Sequence, residues 1–296
     1  MDQRLTEIVE TLAKDTGSGA SEMHAAILNS LLAISNEDLT AISATEWEDF
    51  CISIHKAKPS VAPVFNIANT IMLKLEQGIK DGESLHQTLL EMIEEERRSG
   101  ARIAEHAARS VRGRWFMTTS YSSTVAHVLR IIARDRRIKV TVAEAAPGGE
   151  GRLFAKLLSD QGMEVEIIYD STVFARMEHL DGVIVGADSV TTSGLVNKVG
   201  TRALAEAARA YDLDVYGVCG WSKICPVVLS NFGFRTENVG TRLTEHQQMF
   251  ESTPLDLFSG IITDRGVLPS ADLRMELKVR KVARTLSSRC ALQRSD

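Results

Sequence analysis

The front of the chain places apolar side chains at helical spacing. Leu5, Ile8, Val9 and Leu12 fall on one face of a helix. Thr16-Gly17-Ser18-Gly19-Ala20 breaks that pattern. Ser21, with Glu22 behind it, predicts the N-cap of a second helix carrying Ala25, Ala26, Leu28, Leu31 and Leu32. Pro59 and Pro63 bracket a turn before a helix with Ile67, Ile71, Leu73 and Leu75. After a break over residues 78–82, a long helix is predicted for 84–110, with Leu85, Leu89, Met92, Ile93, Ile103 and Ala107 inward. The run Glu94-Glu95-Glu96-Arg97-Arg98 in its middle reads as a solvated face with i,i+4 pairs.

From residue 111 onward, short apolar runs alternate with helical stretches. Strands are predicted over 115–119, 139–144, 165–169, 182–186 and 215–219, with a last candidate at 261–264. Helices are predicted over 125–133, 151–161, 171–178 and 200–211. This alternation predicts an α/β unit: a mostly parallel sheet with helices on both faces and right-handed crossovers. The chain therefore divides into an N-terminal helical domain, 1–110, and a C-terminal α/β domain, 111–296. In such open sheets ligands bind at the carboxyl ends of the strands, where strand order switches.

Composition narrows the functional classes. With 44% hydrophobic and 25% charged residues, the chain is an ordinary globular one, and 296 residues suffice for two units. A net charge of -5 argues against a protein that neutralises duplex phosphates, so no direct nucleic-acid partner is expected. Cys51, Cys219, Cys225 and Cys290 form no C-x-x-C pair and read as reduced, buried thiols of a cytoplasmic protein. The start, MDQRLTEIVE, lacks a signal peptide's apolar stretch, and no segment has the apolar length of a membrane span. His24, His55, His86, His106, His127, His179 and His246 show no metal-ligand spacing and read as packing or surface residues.

Four constellations lie at predicted strand ends. Thr118 to Thr124, containing Ser120 and Ser122, is dense in hydroxyls and opens a helix; it reads either as an anion site or as a set of helix caps. Glu144-Ala145-Ala146-Pro147-Gly148-Gly149-Glu150-Gly151-Arg152 allows close backbone approach to a ligand, with Arg152 in the next helix's first turn, or is a plain glycine turn. It is not G-x-G-x-x-G, and no Walker sequence occurs, so no dinucleotide or P-loop nucleotide cofactor is called for. Asp188, in Gly186-Ala187-Asp188-Ser189-Val190, reads as an acid–base group if burial raises its pKa, or as a turn residue. Asn197-Lys198-Val199-Gly200-Thr201 supplies a phosphate point charge in Lys198 and a hydrogen-bonding amide in Asn197; Lys223 is a second cation near the same crevice.

Taken in order, Glu144-x-x-Pro147-x-x-x-Gly151, Gly186-Ala187-Asp188-Ser189-Val190, Asn197-Lys198-Val199-Gly200-Thr201, Lys223 and Thr263-Asp264-x-Gly266-Val267-Leu268 resemble the initiation factor 2B α/β/δ family. That family includes ribose-1,5-bisphosphate and methylthioribose-1-phosphate isomerases. The resemblance implies a Rossmann-like second domain, a homodimer or larger homo-oligomer, a possible initiation-factor partner, and a strand-end pocket for a phosphorylated sugar or nucleotide monophosphate. It implies ligand-binding roles for Ser122, Glu144, Gly151, Arg152, Asn197, Lys198 and Lys223. In the isomerases a Cys and an Asp face each other across the sugar C1–C2 bond; the Asp is kept as Asp188, but Ser120 holds the Cys position. A serine hydroxyl is far less acidic than a thiol, whose ordinary pKa is about 8.5. Ala146 stands where the family has a phosphate-holding Arg. Both departures lean toward the regulatory subunits, with a Ser120/Asp188 isomerase and a purely structural assembly subunit as the alternatives.

Overall fold

The computed structural model describes residues 1–15, 17–229 and 232–290; Thr16 of the predicted first break and residues 291–296 of the predicted second domain lie outside them. Helix α1 (Gln3–Lys14) buries Leu5, Ile8 and Leu12, as their spacing requires. Helix α2 (Ala20–Leu32) begins earlier than a Ser21 cap predicts. The reason is local: the Glu22 carboxylate reaches back to accept the Gly19 N–H at 2.9 Å, so Gly19 takes the cap position. Two helices, α3 (Asn36–Ala41) and α4 (Ala44–Ala57), occupy a stretch for which no element was predicted. Ser43 opens α4 by accepting from Glu46 N–H at 3.3 Å, while Glu46 accepts from Ser43 N–H at 3.1 Å. Helix α5 (Ala62–Glu76) includes Pro63 in its first turn, where the missing N–H has no helical partner to lose.

Helix α6 (Gly82–Ser110) has 29 residues and, at about 1.5 Å per residue, joins two cores. Its Leu85, Leu89 and Ile93 belong to the helical core with Leu28, Phe50 and Phe65. Its Ile103, Ala104 and Ala107 belong to a core on one face of the sheet. The charge run only partly behaves as a solvated face. Glu94 pairs with Arg97 and Arg98 at 4.0 and 3.8 Å, but Glu96 turns inward.

The α/β portion runs β1 (Trp115–Thr119), α7 (Ser123–Asp135), β2 (Lys139–Ala143), α8 (Glu150–Asp160), β3 (Glu164–Ile168), α9 (Val173–Arg176) and β4 (Gly182–Val185). A hairpin follows, β5 (Ser189–Thr191) and β6 (Gly194–Lys198), then α10 (Thr201–Ala210) and β7 (Asp214–Val218). The described residues then continue with β8 (Phe234–Gly240), β9 (Leu243–Gln248), β10 (Phe250–Thr253), β11 (Gly260–Thr263), β12 (Gly266–Leu268), α11 (Ser270–Val279) and α12 (Arg284–Arg289). The main sheet has seven strands in the order β12-β11-β7-β4-β1-β2-β3, parallel except for β12. Strand residues alternate between faces as the pleat demands. Phe116, Ile184, Val218 and Ile262 meet α6, α7 and α8, whereas Met117, Val183, Val185 and Ile261 meet α10 and α11. Strands β5, β6 and β10 form a second, antiparallel sheet, and β8 and β9 a separate exposed hairpin. These short strands were not predicted; they are polar or brief and carry little period-two signal. Among the described residues, no helix is long and apolar enough to cross a membrane.

Two buried asparagines of α5 stitch the helical portion to distant backbone. Asn66 Nδ2 donates to the carbonyls of Ser222 (2.6 Å) and Ile224 (3.0 Å). Asn69 donates to the Lys281 carbonyl at 3.0 Å and accepts from Ala283 N–H at 2.8 Å. Replacing Asn69 by Ala leaves a buried donor and acceptor unpaired, so Asn69→Ala is expected to lose about 2–3 kcal/mol of stability in urea unfolding; a loss near zero contradicts the role of this stitch.

Candidate functional site

Strand order reverses between β1 and β4: the chain goes outward from β1 to β2 and β3, and outward the other way from β4 to β7 and β11. The carboxyl ends of β1 and β4 therefore open a crevice that no connecting helix covers. Ser120 follows β1 with a φ of 65°, a left-handed conformation that turns the chain sharply at the strand end. Gly186 and Asp188 follow β4. A Cβ at Gly186 would lie 2.6 Å from Ser122 Oγ, so only glycine lets the two strand-end loops meet this closely.

Four charged groups converge there: Lys198, Glu150, Asp188 and Lys223. Lys198 comes from β6, whose pairing with β5 and β10 folds it back over the crevice. Its side chain is 2% exposed, and its Nζ lies 3.0 Å from Glu150 Oε1 in an ion pair whose angle falls short of hydrogen-bond alignment. The same Glu150 oxygen accepts the Ser120 hydroxyl at 3.0 Å. Glu150 opens α8, where the helix dipole favours an anion. A Cβ at Gly148 would lie 2.2 Å from Glu150 Oε2 and 3.0 Å from Lys198 Nζ, so this glycine leaves room for the pair. Asp170 holds the preceding loop open, accepting from the N–H groups of Ala145 (2.9 Å) and Ala146 (2.7 Å).

Asp188 keeps a narrow exposed edge, and its carboxyl makes no hydrogen bond to any described residue. Burial pushes its pKa upward; Lys223 opposes that rise and Glu150 adds to it. Lys223 is itself buried, near enough for its charge to act on Asp188.

The other candidates make local contacts. Ser122 Oγ accepts Val125 N–H at 3.2 Å and so caps α7. Asn197, on strand β6 rather than in a loop, donates to Thr201 Oγ1 at 3.0 Å. Gly151 packs so tightly on β2 that a Cβ would lie 2.1 Å from the Ala143 carbonyl. Arg152 pairs with Glu144 at 2.7 Å and lies over the Tyr169 ring, 5.8 Å from its centroid. The structure thus brings Ser120, Asp188, Lys198 and Lys223 to one crevice, while Arg152 and Glu144 are engaged with each other. Cys219 and Cys225 are buried, and burial pushes each thiol up to about 12, so neither supplies a thiolate beside Lys223. Sequence reasoning gave Glu150 no role, although its place in the first turn of a helix behind two glycines was the available signal. Among the described residues, no group of three or more His, Cys, Asp or Glu side chains could hold a metal.

The sequence pattern of the Initiation factor 2 subunit family matches residues 18–270. The chain belongs to that family. A translation initiation factor eIF-2B subunit 2-like protein of Pyrococcus abyssi is 29% identical over 93% of this chain and 100% of its own length. A ribose 1,5-bisphosphate isomerase of Archaeoglobus fulgidus is 26% identical, covering 72% of each chain. The solved structure of the Pyrococcus horikoshii OT3 translation initiation factor eIF-2B superposes with a TM-score of 0.77 at 26% identity, over 91% of this chain and 98% of that one. Relatives of this Initiation factor 2 family member thus include both factor-like proteins and a sugar-phosphate isomerase.

The raised pKa of Asp188 gives a signed prediction. The folded chain holds this proton more tightly than the unfolded one, so Asp188's contribution to stability is present at low pH and is lost as pH rises through its folded pKa. Relative to Asp188→Asn, the wild type is therefore expected to gain stability in urea unfolding as pH falls from neutral toward about 4. A difference that stays constant across that range contradicts the burial of this carboxyl.

Proposed function

We propose that the chain is a cytoplasmic, non-catalytic binding member of its family, holding a phosphorylated sugar or nucleotide monophosphate in the crevice between β1 and β4. The observation that carries this reading is Ser120. It occupies the strand end where an isomerase needs an acid–base group, and its hydroxyl is committed to Glu150. Cys219 and Cys225 do not supply a thiolate in its place, since burial holds both thiols protonated. Lys198 remains a buried cation able to receive a phosphate once Glu150 moves aside. The division into a helical unit over 1–110 and an α/β unit over 111–296 belongs to the same proposal. So does assembly as a homodimer or larger homo-oligomer alongside an initiation-factor partner. Supporting it is the hairpin of β8 and β9, which leaves Phe234, Val239 and Leu243 exposed.

A second reading, an aldose-phosphate to ketose-phosphate isomerase, draws on Asp188, whose pKa burial pushes upward, as a carboxyl that gives and takes a proton requires. Phosphorus NMR of ribose 1,5-bisphosphate and of methylthioribose 1-phosphate, each with the purified protein, separates the readings. The expected result is unchanged shifts with broadened lines, the mark of binding without turnover. New ketose-phosphate resonances overturn the proposal in favour of the isomerase, and sharp, unchanged lines in favour of a purely structural subunit.

A further inference from the structure

A second cavity, of about 260 Å³, lies between α2, α5 and α6 on one side and the ends of β7 and β11 on the other. None of Ser120, Asp188 and Lys198 lines it. Lys223 lies between the two sites, since its charge acts on both Asp188 and His24.

The floor of this cavity is unusual for its unmet hydrogen bonds. His24, 2% exposed, lines it with both ring nitrogens lacking a hydrogen-bond partner. Native interiors rarely tolerate this, because each buried polar atom left unpaired is destabilising. Glu96 Oε2 lies 3.6 Å from His24 Nδ1 and accepts the Ser222 hydroxyl at 2.8 Å. Asp264 Oδ1 accepts from Trp221 N–H at 2.6 Å and the Ser99 hydroxyl at 3.3 Å. Ser222 and Ser99 thus each donate to one oxygen of these carboxylates, and the second oxygen of each accepts from no described side chain. What the floor asks for is a donor-rich, positively charged group.

The same lining also carries the other sign. Arg265 and Arg280 both lie against the indole of Trp221, 4.2 and 5.5 Å from its ring centroid, and Lys74 approaches from α5. Helix α6 contributes Glu91, Glu95 and Glu96, so the cavity is lined by charges of both signs. We infer that this cavity binds a small zwitterion of the size of a free amino acid, its ammonium on Glu96, Asp264 and His24 and its acid group on Arg265 and Lys74.

The test is thermal unfolding of the full chain with the standard L-amino acids, each supplied singly. At least one is expected to raise Tm by about 5 °C at roughly a hundredfold excess over its Kd. The N-acetyl derivative of that amino acid is expected to give no shift. Glu96→Gln, which keeps the shape and the Ser222 contact, should weaken binding about tenfold or more, as should His24→Phe, while Ser120→Ala should leave the shift intact. If His24→Phe does not fold, Glu96→Gln decides alone. No shift with any amino acid, or an equal shift in Glu96→Gln, overturns the assignment.

Discussion

The reversal of strand order between β1 and β4 governs where chemistry can occur in this chain. Parallel strands need helical crossovers, and crossovers leaving in opposite directions cannot close over the point where they part. Ser120 and Asp188 stand at that point because Ser120 directly follows β1 and Asp188 lies three residues past the end of β4. Strand β6 then folds back over it and delivers Lys198, so a cation taken out of water sits above two strand ends.

A buried ammonium needs a counter-charge, and the fold provides Glu150. That carboxylate does three things together: it neutralises Lys198, satisfies the positive end of α8 and accepts the Ser120 hydroxyl. On the proposed reading it occupies the place an incoming phosphate would take, as an internal anion that a ligand must displace. The arrangement suits a site that binds and releases, with a self-satisfied empty state. A reactive site would hold a free acid–base pair instead, and only Asp188 retains that character.

Much of this was legible in the sequence because it rests on local pattern. The alternation from residue 111 onward has its counterpart in six parallel strands and their covering helices, since each apolar run forms a strand of about five residues, buried except at the edge strand β3. Helix α4 was equally readable, through the Ser43 and Glu46 capping box and the apolar Trp47, Phe50 and Ile54, but its signal lay in a stretch that suggested no contrast with its surroundings. Other features depend on tertiary contacts and leave no local trace. Glu150 became a ligand for Lys198 only when β6 folded over α8, residues 48 positions apart in the chain. His24, which looked like an ordinary packing residue, acquires meaning only beside Glu96 and the ends of β7 and β11. Arg152, placed near a phosphate by its position in the first turn of α8, instead meets the Glu144 carboxylate at 2.7 Å, a pairing that the sequence spacing alone did not suggest.

The measurement that most directly tests whether the β1–β4 crevice is a phosphate site guarded by an internal anion is a crystal structure of the chain with ribose 1,5-bisphosphate. The account predicts a phosphate group on Lys198 Nζ, the Glu150 carboxylate swung away from that nitrogen, and an unaltered aldose. An intact Lys198–Glu150 pair with the sugar phosphate absent from the crevice would contradict it.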